Sequence, residues 1–147
     1  MNRKTRMKRK SLLGMLFLCL AMMMVTSCGE DKIPAKAKAF ISQTFPESNI
    51  VLVEMDRDDE GMEYCVWLND GTKVEFDLQG DWKRVGRNKT GVPTKLIPPA
   101  ILHYLKKNYP QEVVTKLSKK PYGYKTELSN DMDLRFNARG QFLEVID

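Results

Sequence analysis

Histidine occurs once in the 147 residues, at His103, and cysteine three times, at Cys19, Cys28 and Cys65. No set of these residues has the short-range spacing by which zinc ligands are usually gathered. No serine or cysteine stands in a nucleophile motif, and no glycine-rich run could wrap a phosphate. The six residues Asp56-Arg57-Asp58-Asp59-Glu60-Gly61 begin like a calcium loop, but the twelfth position, where a bidentate glutamate belongs, is Trp67. A solvated hairpin loop fits them better. No cofactor, no metal and no catalytic activity are expected.

Long apolar runs are confined to the N-terminus. Arg3, Lys4, Arg6, Lys8, Arg9 and Lys10 precede an apolar stretch over residues 12–25, closed by Val25-Thr26-Ser27-Cys28. Charge, length and order are those of a secretory leader, and the stretch is short for a span of about 20 residues. The cysteine at the cleavage point resembles a bacterial lipobox. Residues 1–27 therefore read as a lipoprotein signal peptide, Cys28 as the lipidation site and residues 28–32 as a tether. Gly29 is not an inner-membrane retention residue, and Glu30-Asp31 resemble the surface-export signals of Bacteroidetes lipoproteins. The expected location is the cell envelope, lipid-anchored, at the outer membrane and facing the periplasm or the surface.

Excess charge of one sign is missing once the leader is set aside. Six of the 24 Lys and Arg residues and none of the 19 Asp and Glu residues lie in 1–27, which leaves 18 against 19. The pI near 9.1 belongs to the leader, and no nucleic-acid partner is expected. After export only Cys65 remains beside the lipidated cysteine, so no internal disulfide is available and burial of apolar surface must hold the chain together.

The remaining chain says most things twice. Phe76-Asp77-Leu78-Gln79-Gly80-Asp81-Trp82-Lys83-Arg84-Val85 returns as Phe136-Asn137-Ala138-Arg139-Gly140-Gln141-Phe142-Leu143-Glu144-Val145. Each copy ends a strand, turns at a glycine and starts a strand on an aromatic residue. Ile33-Pro34 and Ile97-Pro98 open helical spacings that stop at Phe45-Pro46 and Tyr109-Pro110, because a residue before proline is pushed out of the helical region. Strand-like runs follow at 49–55 and 113–117, then from Tyr64 and Tyr124, then at 73–78 and 133–138, then from Trp82 and Phe142. Asn69-Asp70-Gly71 and Ser129-Asn130-Asp131 mark the intervening turns.

Alternation assigns faces. Tyr64, Val66, Leu68, Val74, Phe76 and Leu78 point one way, as do Tyr124, Thr126, Leu128, Leu134, Phe136 and Ala138. Lys73, Glu75, Asp77, Lys125, Glu127, Asp133 and Arg135 point the other. This is an α+β class protein: two tandem helix-plus-four-strand repeats, 33–96 and 97–147, sharing one antiparallel sheet with helices on one face. Residues 33–147 should form a single domain, since either half alone is small for a secure core.

The Phe/Tyr-Pro helix ends and the repeated Phe-Asp/Asn-x-x-Gly-x-Trp/Phe unit make residues 33–147 resemble the PepSY-like family of Bacteroidetes lipoproteins, described as similar to β-lactamase inhibitor protein. The resemblance implies secreted binding or inhibitory modules and carries over no catalytic residue.

His103 corresponds to Ala39 in the first repeat, so the fold does not require an imidazole there. Trp67 is the departure that matters, because it stands where the second repeat has Glu127, and Cys65 where it has Lys125. An apolar pair on a charged face can mark a contact site; the competing reading has the loop at residues 56–61 folding over it. The candidate binding face is Trp67, Cys65, Lys73, Glu75, Asp77, Lys125, Glu127 and Arg135. The function expected is a lipid-anchored extracytoplasmic binding module for an envelope or extracellular protein or peptide, with hydrolase inhibition as one form. The alternative is a sensory or accessory envelope module for a small ligand.

Overall fold

Pro34 and Pro98 set the backbone immediately before two ten-residue helices, α1 (Ala35–Thr44) and α2 (Pro99–Asn108), in a computed structural model that describes residues 29–146 apart from Lys89. The leader and Cys28 lie outside the described residues. Each helix closes on the aromatic residue before a proline, with the Phe45 N–H bonded to the Ile41 carbonyl and the Tyr109 N–H to the Leu105 carbonyl. Among the described residues no helix is long and apolar enough to cross a membrane.

Eight strands follow in two groups of four. The first group is β1 (Ile50–Asp58), β2 (Gly61–Leu68), β3 (Lys73–Phe76) and β4 (Trp82–Gly86). The second is β5 (Val114–Lys120), β6 (Gly123–Leu128), β7 (Asp133–Asn137) and β8 (Phe142–Ile146). They form one sheet in sequence order, every neighbour antiparallel. β4 and β5 join the groups through Arg84↔Ser118, Val85↔Leu117 and Gly86↔Lys116. A short 3-10 turn at Thr94–Leu96 leads into α2.

Both helices cover the face that alternation makes apolar. Phe40 of α1 meets Phe76 edge-on at 5.7 Å between ring centroids and lies along Trp82 at 6.0 Å. Tyr104 of α2 makes the same two contacts with Phe136 at 5.5 Å and Phe142 at 4.7 Å. Val66, Val74 and Val85 join Leu117, Leu128 and Leu134 beneath them, so one buried cluster draws on both groups of strands. Burial of each such side chain contributes about 1.5–3 kcal/mol.

The repeated hairpin glycines have two reasons to be glycine. Gly80 and Gly140 sit at φ +84° and +76°, where a side chain is strained. In addition, a Cβ on Gly80 would lie 3.0 Å from the Pro34 Cβ, and one on Gly140 would lie 2.9 Å from the Ala100 Cβ. Each turn therefore packs against the start of the helix that precedes its group of strands.

Several boundaries differ from the sequence reading. β3 ends at Phe76, so Leu78 does not face the core: it stands in the turn, 47% exposed, and Ala138 is likewise exposed in its turn. β1 runs on to Asp58 and β2 begins at Gly61, which shrinks the loop at 56–61 to a two-residue turn, Asp59 and Glu60. Strand pairing continued because the backbone had partners, although the side chains there are nearly all polar.

Candidate functional site

The sheet face away from the helices is concave and ionic. Two rows of side chains cross it, set by the ladder. One runs Cys65–Glu75–Arg84–Ser118–Lys125–Arg135, the other Trp67–Lys73–Gly86–Lys116–Glu127–Asp133. Together they bound a groove of about 660 Å³ centred on the β4–β5 junction. Gly86, having no side chain, leaves the floor bare between Lys73 and Lys116.

Five of the eight residues expected on the binding face line this groove: Trp67, Lys73, Glu75, Lys125 and Glu127. Trp67 is half-buried, with the Lys73 ammonium 5.0 Å from the centre of its ring. The β1–β2 turn does not cover it, because Asp58↔Gly61 closes that hairpin six residues along β2, roughly 20 Å away at ~3.3 Å per residue. The other three do not line the groove. Cys65 is 1% exposed and offers no contact surface. Asp77 lies in the β3–β4 turn, where its carboxylate accepts the N–H groups of Gln79 and Asp81. Arg135 shares the face but stands beyond the groove, paired with Glu144 at 2.7 Å and lying 5.3 Å from the Tyr122 ring.

Glu75 is on the groove side and yet 4% exposed. Lys73 (2.8 Å) and Arg84 both cap its carboxylate, and Arg84 also donates from Nε to the Ser118 hydroxyl at 3.3 Å. Burial works against the Lys73 charge, but the bond to Glu75 outweighs it and holds that ammonium above its ordinary range. Burial pushes the Cys65 thiol up, so it is a protonated, enclosed sulfur rather than a nucleophile. Lys116 pairs with Glu127 at 2.5 Å, and Lys125 with Asp133 at 2.5 Å.

A second ionic centre adjoins the groove. β4 carries a bulge, since Glu75 pairs with Arg84 and Phe76 with Trp82, which leaves Lys83 as the extra residue. Its ammonium lies 2.8 Å from Asp58, 2.8 Å from Glu63 and 3.4 Å from Glu60. Glu63 is 3% exposed and would be costly to bury unpaired. The bond from Lys83 holds the Asp58 carboxyl down to about 2, and a bond from Lys120 lowers Glu60. Burial opposes the charge on Lys83, but Asp58 and Glu63 outweigh it and raise its proton affinity.

Glu63, Cys65 and Glu75 bring one sulfur and two carboxylates within 4.8 Å of one another. Both carboxylates are already neutralised by Lys83, Lys73 and Arg84, so a cation there would have to displace a bound ammonium or guanidinium. His103 is exposed on α2. Sequence reasoning missed Glu63, Lys83, Arg84, Lys116 and Ser118. Alternation back from Cys65 places Glu63 on this face, whereas the bulge that redirects Lys83 leaves no simple mark in the sequence.

Over residues 62–144 the chain matches the family described as "putative beta-lactamase-inhibitor-like, PepSY-like", and it belongs to that family. Three solved structures show the same fold. A "putative periplasmic protein of unknown function" from Bacteroides vulgatus ATCC 8482 is 30% identical with a TM-score of 0.75, the match covering 80% of this chain and 94% of that one. A "putative calcium-regulated periplasmic protein" from Bacteroides thetaiotaomicron is 34% identical with a TM-score of 0.73, over 80% and 92%. A second protein from B. vulgatus ATCC 8482, described as a "putative periplasmic protein from DUF2874 family", is 28% identical with a TM-score of 0.71, over 80% and 92%. No curated protein matches.

Proposed function

We propose that this chain is a non-enzymatic binding module of the cell envelope, tethered by lipid on Cys28, whose concave sheet face holds a protein or peptide. The observation that carries this reading is the groove itself: it lies at the centre of the sheet, on the face the helices leave open, and is built from paired charges and one tryptophan. Nothing in that set poises a nucleophile or a base, and the thiol beneath it is enclosed. The periplasmic description of the relatives supports an envelope location, and the family description supports inhibition of a hydrolase as one form of binding. The matching helix-plus-four-strand order and the paired aromatic contacts favour a tandem duplication, whose junction at β4–β5 is where the groove lies.

The calcium regulation named for one relative transfers poorly to this chain. The carboxylates that crowd the β1–β2 turn converge on Lys83, so the chain supplies its own cation there.

A photocrosslinking amino acid at position 67, compared with one at the exposed helix position 103, tests the reading in intact envelopes. Adducts from position 67 alone, lost when the groove charges are reversed, are the expected result. Equal adducts from both positions would remove the assignment of the face. Retention of a Cys28→Ala variant in the membrane fraction would remove the lipid tether.

A further inference from the structure

The groove carries one cation on each of four consecutive strands: Lys73 on β3, Arg84 on β4, Lys116 on β5 and Lys125 on β6. They alternate between the two side-chain rows, Lys73 and Lys116 in one and Arg84 and Lys125 in the other, so the charges zigzag across the sheet rather than running along a strand. At ~4.8 Å per strand the stripe is roughly 14 Å long.

Its charge is not cancelled inside the groove. The lining holds five cations, these four and Lys120, against two carboxylates, Glu75 and Glu127. Glu75 is buried beneath Lys73 and Arg84 and presents no charge outward, whereas the side chains of those two are 37% and 30% exposed. Lys125 and Lys120 find their partners in Asp133 and Glu60, both outside the lining. Among the described residues Arg84 bonds through Nε and one terminal nitrogen, which leaves the second terminal nitrogen open to the groove. An ammonium has three donors, so each paired lysine can donate to a further carboxylate on its open side.

Resting on the binding-face reading above, we propose that the partner enters as an extended acidic peptide segment, laid across β3–β6 with its carboxylates over Lys73, Arg84, Lys116 and Lys125. The length of the stripe calls for roughly four or five extended residues at ~3.3 Å each, more than a single small anion provides. A membrane surface is excluded by shape, because a flat sheet of headgroups does not enter a concave face. A uniformly charged polysaccharide would meet the Glu127 carboxylate, whereas a peptide can set an N–H or a neutral side chain there. One side of the Trp67 ring is already occupied by Lys73, which disfavours stacking on a sugar.

The test uses the full acylated chain in detergent micelles and three fluorescein-labelled decapeptides: alternating Glu-Ser, Gln-Ser and Lys-Ser. The Glu-Ser peptide should bind at least tenfold more tightly than the other two and weaken as NaCl rises, since exposed charges are screened. Lys116→Glu with Lys125→Glu should abolish that preference while still melting in one cooperative transition, at a temperature lowered by repulsion from Glu127 and Asp133, and the corresponding double Gln variant should weaken it less. Equal binding of acidic and neutral peptides overturns the acidic class while leaving the face itself intact, as judged by crosslinking from position 67. Displacement of the acidic peptide by polygalacturonate at lower carboxylate concentration overturns it in favour of a glycan. An unchanged affinity in the double Glu variant, or no binding of any peptide, overturns it outright.

Discussion

The Lys83 ammonium stands 2.8 Å from a Glu63 carboxylate that is 4% exposed, and no other lysine or arginine pairs with that carboxylate among the described residues. The bulge in β4 exists at the same place in β8, where Leu143 occupies the extra position and is 50% exposed. One backbone device therefore serves two ends. In the first group of strands it aims a cation at buried acid; in the second it turns an apolar side chain outward.

Removing the cation should be costly. Lys83→Met leaves Glu63 charged, buried and unpaired, a situation that typically destabilises by about 3–5 kcal/mol. Lys83 keeps some exposure, so a loss near the lower figure is expected from urea unfolding. Glu63→Gln in the Lys83→Met background should recover part of it, because the buried charge is then gone.

Acid should weaken the same centre. Asp58 has a carboxyl held at about 2 against an ordinary value of 3.8. A carboxyl depressed on folding stabilises the fold fully above its unfolded value, and that contribution disappears as pH falls through the folded value. Between about pH 4 and pH 2 the protein should lose about 1–2 kcal/mol from this group, with Glu60 acting in the same direction. Calorimetric melting across that window should show the loss in the wild type and a flatter profile in Lys83→Met.

A third prediction concerns a mismatch inside the core. Thr126 is fully buried between Leu117 and Leu134, and its hydroxyl has no hydrogen-bond partner among the described residues. Val66 holds the corresponding place in the first group of strands. Thr126→Val removes an unsatisfied hydroxyl at nearly constant volume and should raise stability by about 1 kcal/mol, read from the urea midpoint at unchanged slope. An unchanged or lowered midpoint would mean that the hydroxyl is hydrogen-bonded in solution.

The antiparallel sheet and its helices were legible because their signals are local. Ile-Pro and aromatic-Pro pairs bracket both helices, and alternation from Val66 to Phe76 and from Thr126 to Phe136 marks the buried face without knowledge of neighbours. Trp67, Lys73, Lys125 and Glu127 came with that alternation. What the sequence could not give is pairing between groups. Arg84, Ser118 and Lys116 become one surface only when β4 lies beside β5, and Cys65 and Glu75 become buried only when long cationic side chains fold over them. Asp77 was misplaced for a local reason: its carboxylate bonds turn N–H groups, which ends β3 two residues earlier than alternation suggests.

Trp67 gives the sharpest separation of fold from function. It is half-buried, lies opposite Leu52 and Lys73 on neighbouring strands, and has an ammonium 5.0 Å from its ring. The helix face contributes nothing to its packing, so Trp67→Ala should cost folding about 1 kcal/mol, mainly the cation–π contact and partial burial. Binding should suffer more, since truncating an interface tryptophan commonly costs at least ~2 kcal/mol. Urea unfolding and titration with the acidic peptide, run on the same preparation, measure the two losses side by side. A folding loss of several kcal/mol with little change in affinity would make Trp67 a core residue, and the groove would lose its apolar anchor.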